Sequence, residues 1–125
     1  MKILESAENY LETIYILKKE LGEVRAIDVA NRLGFSKPSI SAAMKILREN
    51  GYITTNKSKY IALTKEGLGI ALKIHGRHLI LVDFFKSIGV TENTALEDAC
   101  KIEHYISDET FEKLKDVVNY NFKHL

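Results

Sequence analysis

The sequence predicts a mainly α-helical chain in which three helices and a short β-hairpin come first and three more helices follow. Apolar residues recur at helical spacing over most of the length, with Gly22, Gly34, Gly51 and Gly89 where runs end and the single proline, Pro38, where one begins. The period changes to a strand-like one only between Tyr52 and Thr64.

Taken in order, Ala7, Tyr10, Leu11, Ile14, Leu17 and Leu21 mark a first helix over Ser6 to Leu21, closed by Gly22. Ala26 to Leu33 forms a second, stopped by Gly34. Ser36 and Pro38 open a third, Lys37 to Asn50, whose core stripe is Ile40, Ala43, Met44 and Leu47. Tyr52–Thr55 and Tyr60–Thr64 are β-branched and aromatic and flank Asn56-Lys57-Ser58-Lys59, a hairpin with a basic tip. Thr64 caps a fourth helix from Lys65 to Ser87, ended by Gly89. Thr94 and Glu97 have capping-box spacing, which places the fifth helix over Ala95 to Ile106, and Asp108 to Phe122 supplies a sixth. The division expected is residues 1–63 for the helices and hairpin and residues 64–125 for a helical second domain.

At 125 residues with 46% apolar and 28% charged content, the chain has the composition of a globular protein. The longest apolar run, Leu79 to Val82, is far short of the roughly 20 residues that span a bilayer, and the N-terminus lacks a signal-peptide core. The expectation is a cytoplasmic protein with no membrane partner. A lone cysteine, Cys100, is a buried small residue, a reactive thiol or a metal ligand.

The net charge of +1 conceals an asymmetry. Between Phe35 and Tyr60, Lys37, Lys45, Arg48, Lys57 and Lys59 face a single acid, Glu49. Between Thr91 and Glu112, Glu92, Glu97, Asp98, Glu103, Asp108, Glu109 and Glu112 face a single Lys101. The basic stretch suits a polyanion and the acidic one suits cations or plain solvation.

Helix, turn, helix and basic hairpin in this order make a winged helix-turn-helix. Small Ala30 and permissive Gly34 allow a close helix crossing. Burying Ile40, Met44 and Leu47 leaves Ser36, Lys37, Ser39, Ser41, Ala42 and Lys45 on the opposite face, with Pro38 in the opening turn. Hydroxyls and a helix N-terminus suit phosphates, and lysines suit phosphates or guanine edges. Lys57 and Lys59 would reach the backbone or minor groove of double-stranded DNA. With no arginine or glutamine among the central positions, base contacts should be sparse and specificity should lean on DNA shape. One such unit offers little surface, which argues for a homodimer on a palindromic operator.

Cys100, Glu103 and His104 fall at i, i+3 and i+4 of the fifth helix, where side chains are neighbours. Thiolate, carboxylate and imidazole suit first-row divalent metals better than magnesium or calcium. Asn9 and Glu12 share a face of the first helix, and His78 lies beside Leu79, Leu81, Val82 and Phe85 in the fourth. Each has an ordinary alternative: solvated surface for Asn9 and Glu12, a hydrogen-bonded core histidine for His78.

The chain resembles the diphtheria toxin repressor family of metal-dependent transcriptional repressors, and more closely its short branch typified by the manganese transport regulator. The resemblance rests on Glu8-Asn9-Tyr10-Leu11-Glu12-Thr13-Ile14-Tyr15, Ser36-Lys37-Pro38-Ser39, Leu63-Thr64-Lys65-Glu66-Gly67, Gly76-Arg77-His78, Cys100-Lys101-Ile102-Glu103-His104 and Ser107-Asp108-Glu109. It covers nearly the whole chain, which stops where longer members continue into an SH3-like domain. By position, the resemblance implies metal ligation by Asn9, Glu12, His78, Cys100, Glu103 and His104. Asn9 and Cys100 depart from the carboxylates of the manganese branch, Cys100 matching the iron branch instead. The iron-branch ancillary site is incomplete, with Val82 and Leu96 at two of its positions and Asp83 out of register.

The implied cofactor is therefore Mn²⁺ or Fe²⁺, with Co²⁺ or Zn²⁺ as surrogates. The implied function is a repressor that binds its operator when loaded with metal and controls metal-uptake genes. A winged-helix regulator with a vestigial metal site is the alternative. A small metalloenzyme would need an open coordination position and a cleft, and no His-Glu-x-x-His spacing is present.

Overall fold

A computed structural model describes residues 5–123. Among them are helices α1 (Glu5–Leu21), α2 (Ala26–Leu33), α3 (Lys37–Glu49), α4 (Lys65–Ser87), α5 (Glu92–Ile102) and α6 (Asp108–Lys123), with strands β1 (Ile53–Thr55) and β2 (Ile61–Leu63) between α3 and α4. The chain forms two compact units, Met1–Leu72 and Lys73–Leu125, whose boundary falls within the sequence of α4.

In the first unit the helical stripes converge on one apolar interior. Leu11, Ile14 and Leu17 of α1, Val29 and Ala30 of α2, and Ile40, Met44 and Leu47 of α3 pack with Val24, Ile53, Ile61 and Ala71. Leu21, the last residue of the expected α1 stripe, is instead 54% exposed. Gly34 ends α2 in the left-handed region, φ 73°, where its N–H donates to the Ala30 carbonyl at 2.9 Å. A residue with a β-carbon would be strained there.

The hairpin is antiparallel, with Ile53 opposite Leu63 and Thr55 opposite Ile61. The Ile61 N–H also donates to the Val24 carbonyl at 2.7 Å, tying the hairpin to the α1–α2 link. Thr64 caps α4 as expected: its hydroxyl accepts from the Gly67 N–H at 3.1 Å and donates to the Gly51 carbonyl at 2.7 Å. A β-carbon on Gly67 would stand 2.1 Å from the Tyr52 carbonyl oxygen, so glycine is what lets α4 begin against the root of the hairpin.

In the second unit Ile74 and Leu81 of α4, Ala95 and Ala99 of α5, and Phe111 and Val118 of α6 are buried. The boundaries expected for α5 are corrected. It begins at Glu92 behind Thr91, whose extended backbone marks the cap, and the Thr91 and Thr94 hydroxyls hydrogen-bond at 3.2 Å. Glu92 in the first turn favours this start, because a carboxylate is stabilised at a helix N-terminus. It ends at Ile102, and a turn over residues 103–105 carries Glu103 and His104. Ser107 then caps α6, its hydroxyl accepting from the Thr110 N–H at 3.2 Å.

Candidate nucleic-acid interface and metal centre

The face of α3 opposite its core stripe is open. Ser36, Lys37, Pro38, Ser39, Ser41, Ala42 and Lys45 are all exposed, while Ile40, Met44 and Leu47 are at most 3% exposed. Ser36 has extended backbone, and its Oγ accepts from the Ser39 N–H at 3.3 Å and donates to Ser39 Oγ at 2.9 Å. Pro38 lies in the first turn, where its missing N–H costs nothing. The helix thus presents its N-terminal dipole with hydroxyls and a lysine around it, a fit to phosphate.

Lys57 and Lys59 are exposed at the hairpin tip. The tip is closed by Asn56, whose side-chain oxygen accepts from the Tyr60 N–H at 2.9 Å and whose carbonyl accepts from the Lys59 N–H at 2.9 Å. Arg48, counted in the basic stretch but not singled out, donates to Thr55 Oγ1 at 3.3 Å and so links α3 to β1.

Among the residues expected to bind metal, the second unit brings three together. Glu103 is 0% exposed. Its Oε2 lies 2.9 Å from His78 Nδ1, and its Oε1 lies 3.4 Å from His104 Nε2. Oε1 is fully buried with no hydrogen-bond partner, its 3.4 Å approach to His104 falling short of a hydrogen bond. The side chains of His78 and His104 are 21% and 3% exposed. A buried carboxylate with an unsatisfied oxygen beside two imidazoles is expensive unless a cation answers it. The donor set therefore fits a first-row divalent metal. Among the described residues, no three His, Cys, Asp or Glu side chains are already spaced to hold an ion.

Cys100 is exposed on the last turn of α5, so of its three alternatives the buried small residue does not hold. Although helical periodicity groups it with Glu103, their surroundings differ, one in the open and the other sealed. Glu12 in the first unit is 6% exposed, against the solvated position that is usual for an acid on a first helix. Asn9 is partly buried; its carbonyl accepts from the Thr13 hydroxyl at 2.8 Å, and it lines a pocket of about 270 Å³ with Glu5, Ser6, Tyr10 and Phe35.

Two residues without an assigned role in the sequence surround the Glu103 turn. Arg77, 7% exposed, donates to the Ile106 carbonyl at 3.0 Å and the Glu103 carbonyl at 3.4 Å, and pairs with the Asp108 carboxylate. The available signal was an arginine next to His78 inside an otherwise apolar helical run, with an acid soon after the Cys-x-x-Glu-His stretch.

A winged helix-turn-helix with an open, basic face on its third helix, followed by a helical unit holding a carboxylate between imidazoles, has the make-up of a DNA-binding regulator. Residues 2–61 match the profile of the iron dependent repressor N-terminal DNA binding domain, and residues 64–123 match that of the iron dependent repressor metal binding and dimerisation domain. The chain belongs to the iron-dependent repressor family of transcriptional regulators.

It is 34% identical over 115 residues to the HTH-type transcriptional regulator MntR of Shouchella clausii (strain KSM-K16), covering 92% of this chain and 80% of that one. It is 35% identical over 111 residues to the transcriptional regulator MntR of Escherichia coli O157:H7, covering 89% and 72%. Among solved structures, the manganese regulator SloR matches with a TM-score of 0.77 at 28% identity over 96% of this chain. ScaR with bound Zn²⁺ matches at 0.74, with 28% identity over 91%. The chain spans about half the length of these two structures, 55% and 54%. No described helix is long and apolar enough to cross a membrane.

Proposed function

We propose that this chain is a cytoplasmic, homodimeric repressor that binds palindromic operator DNA when loaded with Mn²⁺ or Fe²⁺ and controls metal-uptake genes. The observation that carries the metal dependence is Glu103: a wholly buried carboxylate with one unsatisfied oxygen, flanked by His78 and His104. The proposed ligands are Glu12, His78, Glu103 and His104, with Asn9 and Cys100 at the two further positions, where the manganese branch has carboxylates. Co²⁺ and Zn²⁺ serve as surrogates.

Bound there, a divalent cation supplies the positive charge that the buried carboxylates call for and favours one spacing of its ligands. The residues do the rest. Glu103 and His104 are carried on the turn after α5, and His78 on the middle of α4. Glu12 lies on α1, the helix that contributes Leu11, Ile14 and Leu17 to the interior of the first unit. Effector binding moves the regulator toward its DNA-competent state only by the difference in affinity for the two states, so a hundredfold preference corresponds to about 2.7 kcal/mol.

Ser36, Lys37, Pro38, Ser39, Ser41, Ala42 and Lys45 of α3, with Lys57 and Lys59 of the hairpin, form the proposed DNA surface. The testing experiment is operator binding titrated anaerobically against Mn²⁺, Fe²⁺, Co²⁺ and Zn²⁺, for the parent and for His104→Ala. The parent should bind DNA more tightly with metal, and the variant should lose that response while keeping its fold. Binding that ignores both a chelator and the substitution would instead make this a regulator with a vestigial site.

A further inference from the structure

The fifth helix stops without a glycine, an asparagine or a proline to stop it, and the turn that follows carries two of the proposed ligands. Backbone hydrogen bonds from the Tyr105 and Ile106 N–H groups to the Ile102 carbonyl, at 2.9 and 3.0 Å, close that turn locally, and Arg77 ties it to α4. Its guanidinium reaches the C-cap of α5 by donating to the Glu103 carbonyl at 3.4 Å, and the far side of the turn by donating to the Ile106 carbonyl at 3.0 Å. It reaches the N-terminal end of α6 by pairing with the Asp108 carboxylate. The same group lies 5.2 Å from the centre of the Phe111 ring.

A cation at a helix C-terminus satisfies carbonyls that have no partner in the helix. A planar group with several fixed donors can serve both helix ends at once, which a lysine ammonium cannot reproduce. Arg77 also precedes His78 on α4, so one short stretch of that helix supplies both the clamp and an imidazole against Glu103.

We infer that Arg77 is a positioning residue for metal binding: through the Glu103 and Ile106 carbonyls and Asp108 it fixes the turn that aims Glu103 and His104. This rests on the proposed metal site, and touches the ion nowhere itself. Its closest analogues are the outer partners that orient metal ligands, whose loss costs roughly 10–100-fold in affinity. Asp108 belongs to the same device. Its side chain is 77% exposed, and Lys73 Nζ lies 3.6 Å from it, so the pair is neutralised on the solvent side while the arginine remains buried.

The test compares the full-length parent with Arg77→Lys, Asp108→Asn and His104→Ala. Mn²⁺ affinity is read by the free-ion electron paramagnetic resonance signal, the coordination environment by the visible absorption of Co²⁺, and the metal-free fold by circular dichroism and melting. His104→Ala first establishes the site: parental Mn²⁺ affinity in that variant would defeat the site itself, and with it this inference. Given a weakened His104→Ala, Arg77→Lys should bind Mn²⁺ about tenfold more weakly and show an altered Co²⁺ spectrum, with a metal-free spectrum like the parent's. Adding it to His104→Ala should cost less than it does alone, because the two act on one turn. Asp108→Asn, an exposed change that leaves the interior intact, should weaken Mn²⁺ binding in the same direction by a smaller factor. It decides the matter where Arg77→Lys does not fold. Parental Mn²⁺ affinity and Co²⁺ spectrum in the folded Arg77→Lys, or in Asp108→Asn where the lysine variant fails, would overturn the positioning role.

Discussion

The first unit fills its interior with Leu11, Ile14, Val24, Val29, Ile40 and Ile53, all at most 1% exposed, while the interior of the second holds Arg77 and Glu103 beside Ile74 and Leu81. Among the described residues, buried polar side chains in the first unit are confined to Glu12 and Thr13. An apolar interior specifies a shape and is stabilised by burial alone. An interior carboxylate with one oxygen bonded and the other open keeps a desolvation cost that a further partner would offset. The proposed reading surface is thus carried on a region whose interior is almost wholly apolar, and the proposed metal site lies in a region with a buried polar side chain left unsatisfied.

The sharpest way to break this comparison is to truncate the apolar side. Leu11→Ala should destabilise the protein by about 2–5 kcal/mol, as for other fully buried leucines, and lower DNA binding with or without metal. Chemical denaturation beside a gel shift reads both; a loss confined to the metal-stimulated component would overturn the contrast between the two units.

Glu103→Gln should separate stability from response. Removing a buried charge relieves its desolvation, so the metal-free protein should melt no lower than the parent. Mn²⁺ affinity should nevertheless fall by at least the roughly 10–100-fold that losing a mere outer partner costs. A large drop in the metal-free melting temperature would mean that the carboxylate is a structural element and not a receptor.

Gly67→Ala probes the backbone contact at the root of the hairpin. Its β-carbon has no room beside the Tyr52 carbonyl, and overpacking of this kind costs about 1–3 kcal/mol. Equal stability of the alanine variant by denaturant titration would show that α4 can shift its first turn. The mildest test is Lys45→Ala, which should leave stability unchanged and reduce the slope of log affinity against log salt by about one. An unaltered slope would move the DNA surface off this face of α3.

Much of the fold was legible because its signals are local. The bounds of α2 and α4 follow from Gly34 and from the Thr64 cap, and the hairpin follows from a change of period between Tyr52 and Thr64. The end of α5 was not legible. The turn that follows it is bonded to Arg77, whose contacts lie 26 to 31 residues away in sequence, whereas helical periodicity simply runs on through Glu103. The same limit applies to the candidate metal residues. Spacing groups Cys100 with Glu103 and His104, but only packing reveals that Cys100 is exposed while Glu103 is sealed. The exposed face of α3 was readable in full, because it is the complement of a stripe that has to be buried.

The hairpin tip carries a compromise of its own. Lys59 has φ 66°, a left-handed conformation in which glycine or asparagine is at ease and a lysine is not, at a cost of roughly 1–2 kcal/mol. Lys59→Asn should therefore raise the melting temperature slightly while weakening the hold on DNA. With asparagine there the tip would gain a little durability and lose a positive charge from its exposed surface.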